Sequence, residues 1–418
     1  MTRSMTGVAL AALLPCASPV AAQDSLTALL RANAHPMQAA ADGQLSGAGA
    51  ELLVAAGRDA QFFLIGEEHG VAEIPLVAAG LFRELAPHGY RHLAIETGDA
   101  LASALNRAIL QDATGDAYLA FQREHFPGAP FYHWREDAAL LRAAVAAAGG
   151  RDDVLWGLDY DIVADRYALR RLRDIAPNPA ARAAAEAVIA RADSALAQAL
   201  ATQNPGLIMM FGGPRDVYAP LREAYAPVPG SEADRIIHLM EQTREINEYW
   251  ITRQGYLSNL HRALFNKRQF MRYLAEARER TGELPRVMLK FGWAHMTRGR
   301  TYTNVFDLGT LASELADVNG SRSFGVLMLG GAGTMHAVID PRVFRSVEAP
   351  VDAAAAPWAR PFFDAADPQR WTVFDLRPLR PRIPRLGTLP DPLLQVLYGF
   401  DAVVVLSGSG PQHMLDVR

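Results

Sequence analysis

At 418 residues, half of them hydrophobic, the chain carries enough apolar material for a large core, either as one α/β domain with an insertion or as two domains. Its 41 Lys and Arg against 45 Asp and Glu give a formal charge of -4, which excludes the basic footprint that nucleic acid or an anionic membrane surface demands. The only cysteine, Cys16, excludes a disulfide framework and a cysteine-built metal site.

In chain order, residues 1–22 read as a secretory signal: Arg3 supplies the positive start, 8–14 the apolar stretch, and Val20-Ala21-Ala22 the small-residue cleavage pattern before Gln23. The segment is too short for a stable membrane span. Cleavage after Ala22 predicts a periplasmic or secreted bacterial protein. Apolar runs of strand length follow at 61–66, 91–96, 153–158, 286–291, 323–330, 371–375 and 401–406, alternating with helical patterns at 73–87, 99–110, 135–149 and 304–316. That rhythm predicts an α/β fold with an open, mostly parallel sheet covered by helices. Between 162 and 285 the strand signal vanishes, and Ala-, Arg- and Glu-rich helical spacing takes over at 178–201, 232–254 and 256–281. We read this as a large helical insertion forming a cap within one domain, 23–418. The Pro-containing stretches 347–361 and 377–390 read as loops.

Two distant segments share one form. Gly66-Glu67-Glu68-His69 follows Phe62-Phe63-Leu64-Ile65, and Gly292-Trp293-Ala294-His295 follows Val287-Met288-Leu289-Lys290-Phe291. Each reads as a buried strand ending in a glycine turn that delivers a histidine to the C-terminal sheet edge, where ligands collect in open α/β sheets. Two imidazoles can therefore share a pocket. Glu67, Glu68 and Glu73 crowd His69, and carboxylates near an imidazole favour its charged form, which suits proton transfer near neutral pH. Glu96 ends an apolar strand, as a site carboxylate or as the start of a helix cap. Asp159, Tyr160 and Asp161 follow Gly157 as substrate contacts or as an Asx turn. Lys290 pairs with a buried acid or serves the site, and Arg298 binds a carboxylate or oxyanion or lies on the surface.

The Gly-x-Ser-x-Gly elbow, the dinucleotide glycine fingerprint, the phosphate-binding loop and His-Glu-x-x-His are all absent from the sequence. Ser407-Gly408-Ser409-Gly410 and Gly330-Gly331-Ala332-Gly333 lack the required spacing.

With Gly66 to Gly70, Glu73, Glu96, Gly157-Leu158-Asp159, Gly292 to His295 and the late strand Phe400-Asp401-Ala402-Val403-Val404-Val405, the chain resembles the erythromycin esterase/ChaN-like superfamily, which includes the haem-uptake Tiki group. The resemblance covers most of the chain after residue 60. Macrolide esterases of this group resemble Gly-Glu-x-x-His, whereas here two residues separate Gly66 from His69. The resemblance implies several activities, lactone hydrolysis with a histidine as base on water among them; our first reading is an exported hydrolase of a small-molecule ester or lactone, with His69 as the base on water and no cofactor. Glu67 or Glu68 would orient His69, Glu73 and Glu96 would position the water, and His295 with Arg298 would stabilise the oxyanion. Asp159, Tyr160, Asp161 and Lys290 would contact substrate. The group's metallopeptidases imply an alternative in which His69, Glu73, Glu96 and His295 hold one Zn, Mn or Co ion. Its haem-binding members imply haem on His69 or Tyr160.

Overall fold

The computed structural model describes residues 19–40, 42–161, 163–351 and 356–417. Residues 1–18, most of the expected signal and Cys16 with it, lie outside the described residues, and the expected cleavage point after Ala22 falls within the helix Pro19–Ala32. Eleven strands are named here in chain order: β1 (Ala34–Ala39), β2 (Leu45–Ser46), β3 (Phe62–Glu67), β4 (Tyr90–Ile95), β5 (Leu155–Gly157), β6 (Arg286–Gly292), β7 (Ser323–Gly330), β8 (Met335–Asp340), β9 (Arg345–Pro350), β10 (Trp371–Asp375) and β11 (Ala402–Leu406). Nine form one sheet in the order β2-β1-β10-β11-β7-β3-β6-β4-β5. The run from β11 to β5 is parallel, while β10, β1 and β2 continue it antiparallel. The fold is α/β, as the alternation of elements predicts.

Central parallel strands are buried on both faces, so they read as unbroken apolar runs. In β3, Phe63 and Ile65 pack on one side, against the helices Ala48–Asp59, Glu73–Leu85, Asp99–Gln111 and Arg135–Ala147. Phe62 and Leu64 pack on the other, against Pro19–Ala32, Gly255–Thr281, Leu308–Val318 and Asp391–Gly399. The same two-residue period carries Glu67 of β3 and Lys290 of β6 onto the first face. The crossover helix after β3 covers one face and leads to β4, whereas the helix after β6 covers the other and leads to β7. The chain thus diverges at the β3–β6 pair, the topological position that opens a crevice at the strand ends.

All seven expected strands are present. The corrections concern β1, β2 and the β8–β9 hairpin, which the sequence pattern does not flag. β1 contains Pro36 and lies near the edge of the sheet, where a missing amide hydrogen is tolerated. β9 occupies the start of the stretch expected to be loop; its residues are mostly exposed, so no apolar alternation marks it. Helices Ala48–Asp59 and Asp116–His125 likewise lie outside the predicted elements. Between β5 and β6 the chain is helical, and the helices from Asp165 to Ile251 pack around their own apolar cluster of Leu169, Leu172, Val188, Met210, Leu221 and Ile237.

Candidate active site

The strand register brings the two Gly-x-x-His segments together. β3 and β6 are hydrogen-bonded neighbours with Glu67 opposite Gly292, so both chains turn off the sheet side by side. Gly292 is required by proximity rather than by backbone conformation: a Cβ there would lie 2.8 Å from His69 Nε2. Gly70 is required on both counts. Its φ is +83°, and a Cβ would meet the carbonyl oxygen of Ala337 in β8, whose own amide donates to Gly70 O at 2.9 Å.

His69 and His295 face one carboxylate, Glu96, from two sides. His69 Nε2 lies 3.6 Å from Glu96 Oε2, and His295 Nε2 lies 3.7 Å from Glu96 Oε1. Each ring is oriented through its other nitrogen. Nδ1–H of His69 donates to Glu67 Oε1 at 3.0 Å, and Nδ1–H of His295 donates to Asp307 Oδ2 at 2.7 Å. An ionised carboxylate only accepts, so in the neutral form both imidazoles carry their proton on Nδ1 and present a lone pair at Nε2. The His69 ring also stacks on Phe131, with centroids 4.5 Å apart.

Glu96 is 6% exposed and fully engaged. Arg262 Nη2 donates to Oε1 at 2.7 Å, and the Gly292 amide donates to Oε2 at 2.7 Å. Burial alone would raise its pKa; His69, His295 and Arg262 outweigh that and pull it down to about 2, so Glu96 is an anion at any working pH. Burial likewise disfavours the charged imidazoles, but Glu96 and Glu67 raise His69 above its ordinary value. Asp307 and Glu96 do the same for His295 against burial and the repulsion of Arg262. Glu67 is in turn anchored from below: Lys290 Nζ sits 2.7 Å from Glu67 Oε2 and 2.9 Å from Asp137 Oδ1, and Asp137 also accepts from Gln412 Nε2 at 2.6 Å. Lys290, with the two carboxylates beside it, is held firmly in the charged state despite burial.

Above this floor opens a cleft of about 590 Å³. Its walls are largely apolar: Phe131 and Trp134, Trp293 and Tyr302, and Val338, Ile339 and Phe344 from the hairpin. The helical segment expected to roof the cleft contributes only Val163 and Arg262 among the described residues; the β8–β9 hairpin supplies the wall instead.

Of the residues predicted from sequence, Glu67, Glu68, His69, Glu96 and His295 line the cleft. Glu67, not Glu68, supports His69. Lys290 lies beneath the floor as the counter-ion of Glu67 and Asp137, out of reach of substrate. Asp159, Tyr160 and Asp161 line a small side recess shared with Glu96 and Arg262. There Asp159 pairs with Arg262, whose guanidinium lies 4.8 Å from the Tyr160 ring centre. Asp161 accepts from Thr97 Oγ1 and the Gly98 amide, and burial pushes it up to about 7.

Two expectations are corrected. Glu73 turns away, its half-buried carboxylate accepting the Gly410 amide at 3.0 Å, because the helix that it opens starts beyond the Gly70 turn. Arg298 lies at the opposite edge of the sheet, bound to Asp401 at 3.2 Å and to Ser313 and Ser323, because the short helix Trp293–Met296 carries the chain back down past β6. Its place is taken by Arg262.

The ligand set His69, Glu73, Glu96 and His295 is therefore not assembled. Among the described residues no group of three His, Cys, Asp or Glu side chains is arranged to hold a metal ion, and both oxygens of Glu96 already accept from Arg262 and Gly292. Haem fits no better: His69 has Phe131 on its face and Glu96 opposite Nε2, and Tyr160 lies under Arg262.

Sequence reasoning missed Arg262, Asp307 and Asp137. Arg262 has no local signature among the arginines of its helix. Asp307 is legible only as an N-cap, which it also is, accepting from Leu308 N at 2.7 Å. Asp137 resembles any first-turn acid favoured by the helix dipole.

No family model matches the chain, and no curated protein matches it in sequence. Three solved structures share its fold. A Bacillus cereus protein aligns with a TM-score of 0.59 at 14% identity, covering 94% of this chain and 99% of its own. A mutant of the erythromycin esterase EreC in its open conformation aligns with a TM-score of 0.57 at 15% identity, covering 88% and 95%. A succinoglycan biosynthesis protein gives 0.59 at 14% identity, covering 94% and 99%. The chain is structurally related to the erythromycin esterase-like fold. Among the described residues no helix is long and apolar enough to cross a membrane.

Proposed function

We propose that this chain is a hydrolase of a small-molecule ester or lactone, in which His69 takes a proton from the attacking water. The observation that supports it is the pair of carboxylate-oriented imidazoles aimed at one buried glutamate on the floor of an open, apolar-walled cleft. The fold shared with an erythromycin esterase agrees with that chemistry.

Each group has a defined part. Glu67 fixes the His69 ring with Nε2 towards the cleft, and Glu96 stabilises the imidazolium formed when Nε2 accepts the proton. Arg262, with His295, whose protonated form Asp307 and Glu96 favour, supplies positive potential where the carbonyl oxygen becomes negative. General-base assistance contributes roughly 10²–10⁴-fold, and each well-placed oxyanion donor about 10²–10³-fold. Lys290 keeps Glu67 ionised, and Asp137 holds Lys290 in place. The apolar walls offer a surface for the non-reacting part of the substrate.

A panel of ester, lactone and peptide substrates, each assayed with and without a chelator, tests this reading. The expected outcome is turnover of esters or lactones that persists with chelator present. Peptide cleavage abolished by chelation would refute it. We further propose export, on the strength of residues 1–22; the N-terminus of the processed protein then begins at Gln23.

A further inference from the structure

Glu68 is the one residue of the first Gly-x-x-His motif that the mechanism above leaves without a task. Neighbouring strand-end residues point to opposite sides, so Glu67 serves His69 while Glu68 points towards the β8–β9 hairpin. There Glu68 Oε2 accepts the Gly330 amide at 2.9 Å, and Oε1 lies 3.6 Å from His336 Nδ1. That ring nitrogen is shielded from solvent and has no hydrogen-bond partner of its own, and His336 lines the cleft. Nε2 is the nitrogen left to face substrate. As in the other two dyads, a carboxylate lies on the Nδ1 side of the ring, here at 3.6 Å rather than within hydrogen-bond distance. The hairpin that carries His336 is fixed to the catalytic turn, because Ala337, the next residue, donates its amide to Gly70, the residue after His69.

We propose that His336, positioned by Glu68, is the proton donor to the leaving alcohol. The inference rests on the ester- or lactone-hydrolase reading and adds a separate acid to it. In the first half of the reaction His69 Nε2 takes a proton from water as the new C–O bond forms. In the second half the C–O bond to the alcohol breaks and its electron pair goes to the departing oxygen. That oxygen takes the proton of His336 Nε2, and the carbonyl of the acid product re-forms. The proton left on His69 returns to solvent and His336 is reprotonated from solvent, so water plus ester balances acid plus alcohol.

The test compares two esters of the same acid, one with p-nitrophenol and one with an aliphatic alcohol, across wild type, His69→Asn, His336→Gln and Glu68→Gln, with folding checked by circular dichroism. An acidic phenol leaves without protonation and an aliphatic alcohol does not. In His336→Gln the expected result is a loss on the order of 10²-fold in kcat/KM for the alkyl ester, the general-acid contribution, and a many-fold smaller loss for the p-nitrophenyl ester. Glu68→Gln shows the same selectivity with a smaller loss, as befits a positioning residue. Equal losses on both esters, or no loss on either, overturn the proposal while leaving the hydrolase reading intact. Wild-type rates on both esters in His69→Asn overturn the hydrolase reading itself.

Discussion

The cation beneath the site gives a stability prediction whose size follows from burial. Lys290 is 3% exposed, with Glu67 and Asp137 carboxylates 2.7 and 2.9 Å from its ammonium. Lys290→Met keeps most of the aliphatic stem and removes only the charge, so two buried carboxylates face each other without a counter-ion. Breaking a buried ion pair on one side costs about 3–5 kcal/mol. Asp137 is the group that responds, since burial already holds its carboxyl above the ordinary aspartate range even with Lys290 present. Without the ammonium its pKa rises further. A carboxyl whose folded pKa exceeds its unfolded value binds a proton more readily when folded, so stability falls as pH rises. The penalty is complete above the raised folded pKa and vanishes below the unfolded carboxyl value of about 4. Urea unfolding of wild type and variant at about pH 8 and about pH 5 should show the full deficit at the higher pH and a clearly smaller one at the lower. Adding Asp137→Asn removes the repulsion and should restore most of the lost stability. A deficit independent of pH, or one within the roughly 1 kcal/mol typical of exposed pairs, would refute the reasoning.

Gly292→Ala should leave the protein folded yet lower its turnover, because the new methyl would sit 2.8 Å from His69 Nε2 and displace a ring clamped by Glu67 and Phe131; paired thermal melts and rate measurements check this. Glu67→Gln removes an anion that favours the imidazolium, so His69 loses its proton at lower pH. The acid limb of kcat/KM, which rises as the base form appears, should therefore move down in pH, measured as full pH–rate profiles of the two proteins. Gly70→Ala should be strongly destabilising, by more than about 1 kcal/mol, since it combines a left-handed φ with a collision at the Ala337 carbonyl. Urea titration measures the cost, and a loss of less than that would mean the hairpin does not dock on this turn.

The sheet was largely legible because buried parallel strands advertise themselves: Phe62 to Ile65 and Val287 to Phe291 carry no polar break but Lys290, and the alternation of faces is hidden only because both faces are apolar. The shorter and more exposed β1, β2, β8 and β9 carry no such pattern. At the site, His69, His295, Glu67 and Glu96 could be read from strand ends, since that edge is common to all parallel strands. Glu73 and Arg298 could not be placed, because one residue of φ near +83° at Gly70 and a single helical turn after Gly292 decide where the following side chains go. Arg262 and Asp307 reach the site through packing of helices distant in sequence, which no local spacing encodes. The β8–β9 hairpin forms a wall of the cleft for the same reason, held by a backbone hydrogen bond to Gly70 and by Phe344 in the apolar cluster of the inserted helices.

The most direct test of the catalytic assignment is hydrolysis by purified wild type and His69→Asn, measured on whichever ester or lactone of the panel turns over fastest. The predicted result is a rate that rises as pH passes an imidazole pKa above its ordinary value, and a fall on the order of 10²–10⁴-fold in the folded variant. Undiminished hydrolysis by the variant, with the same pH profile, would contradict it.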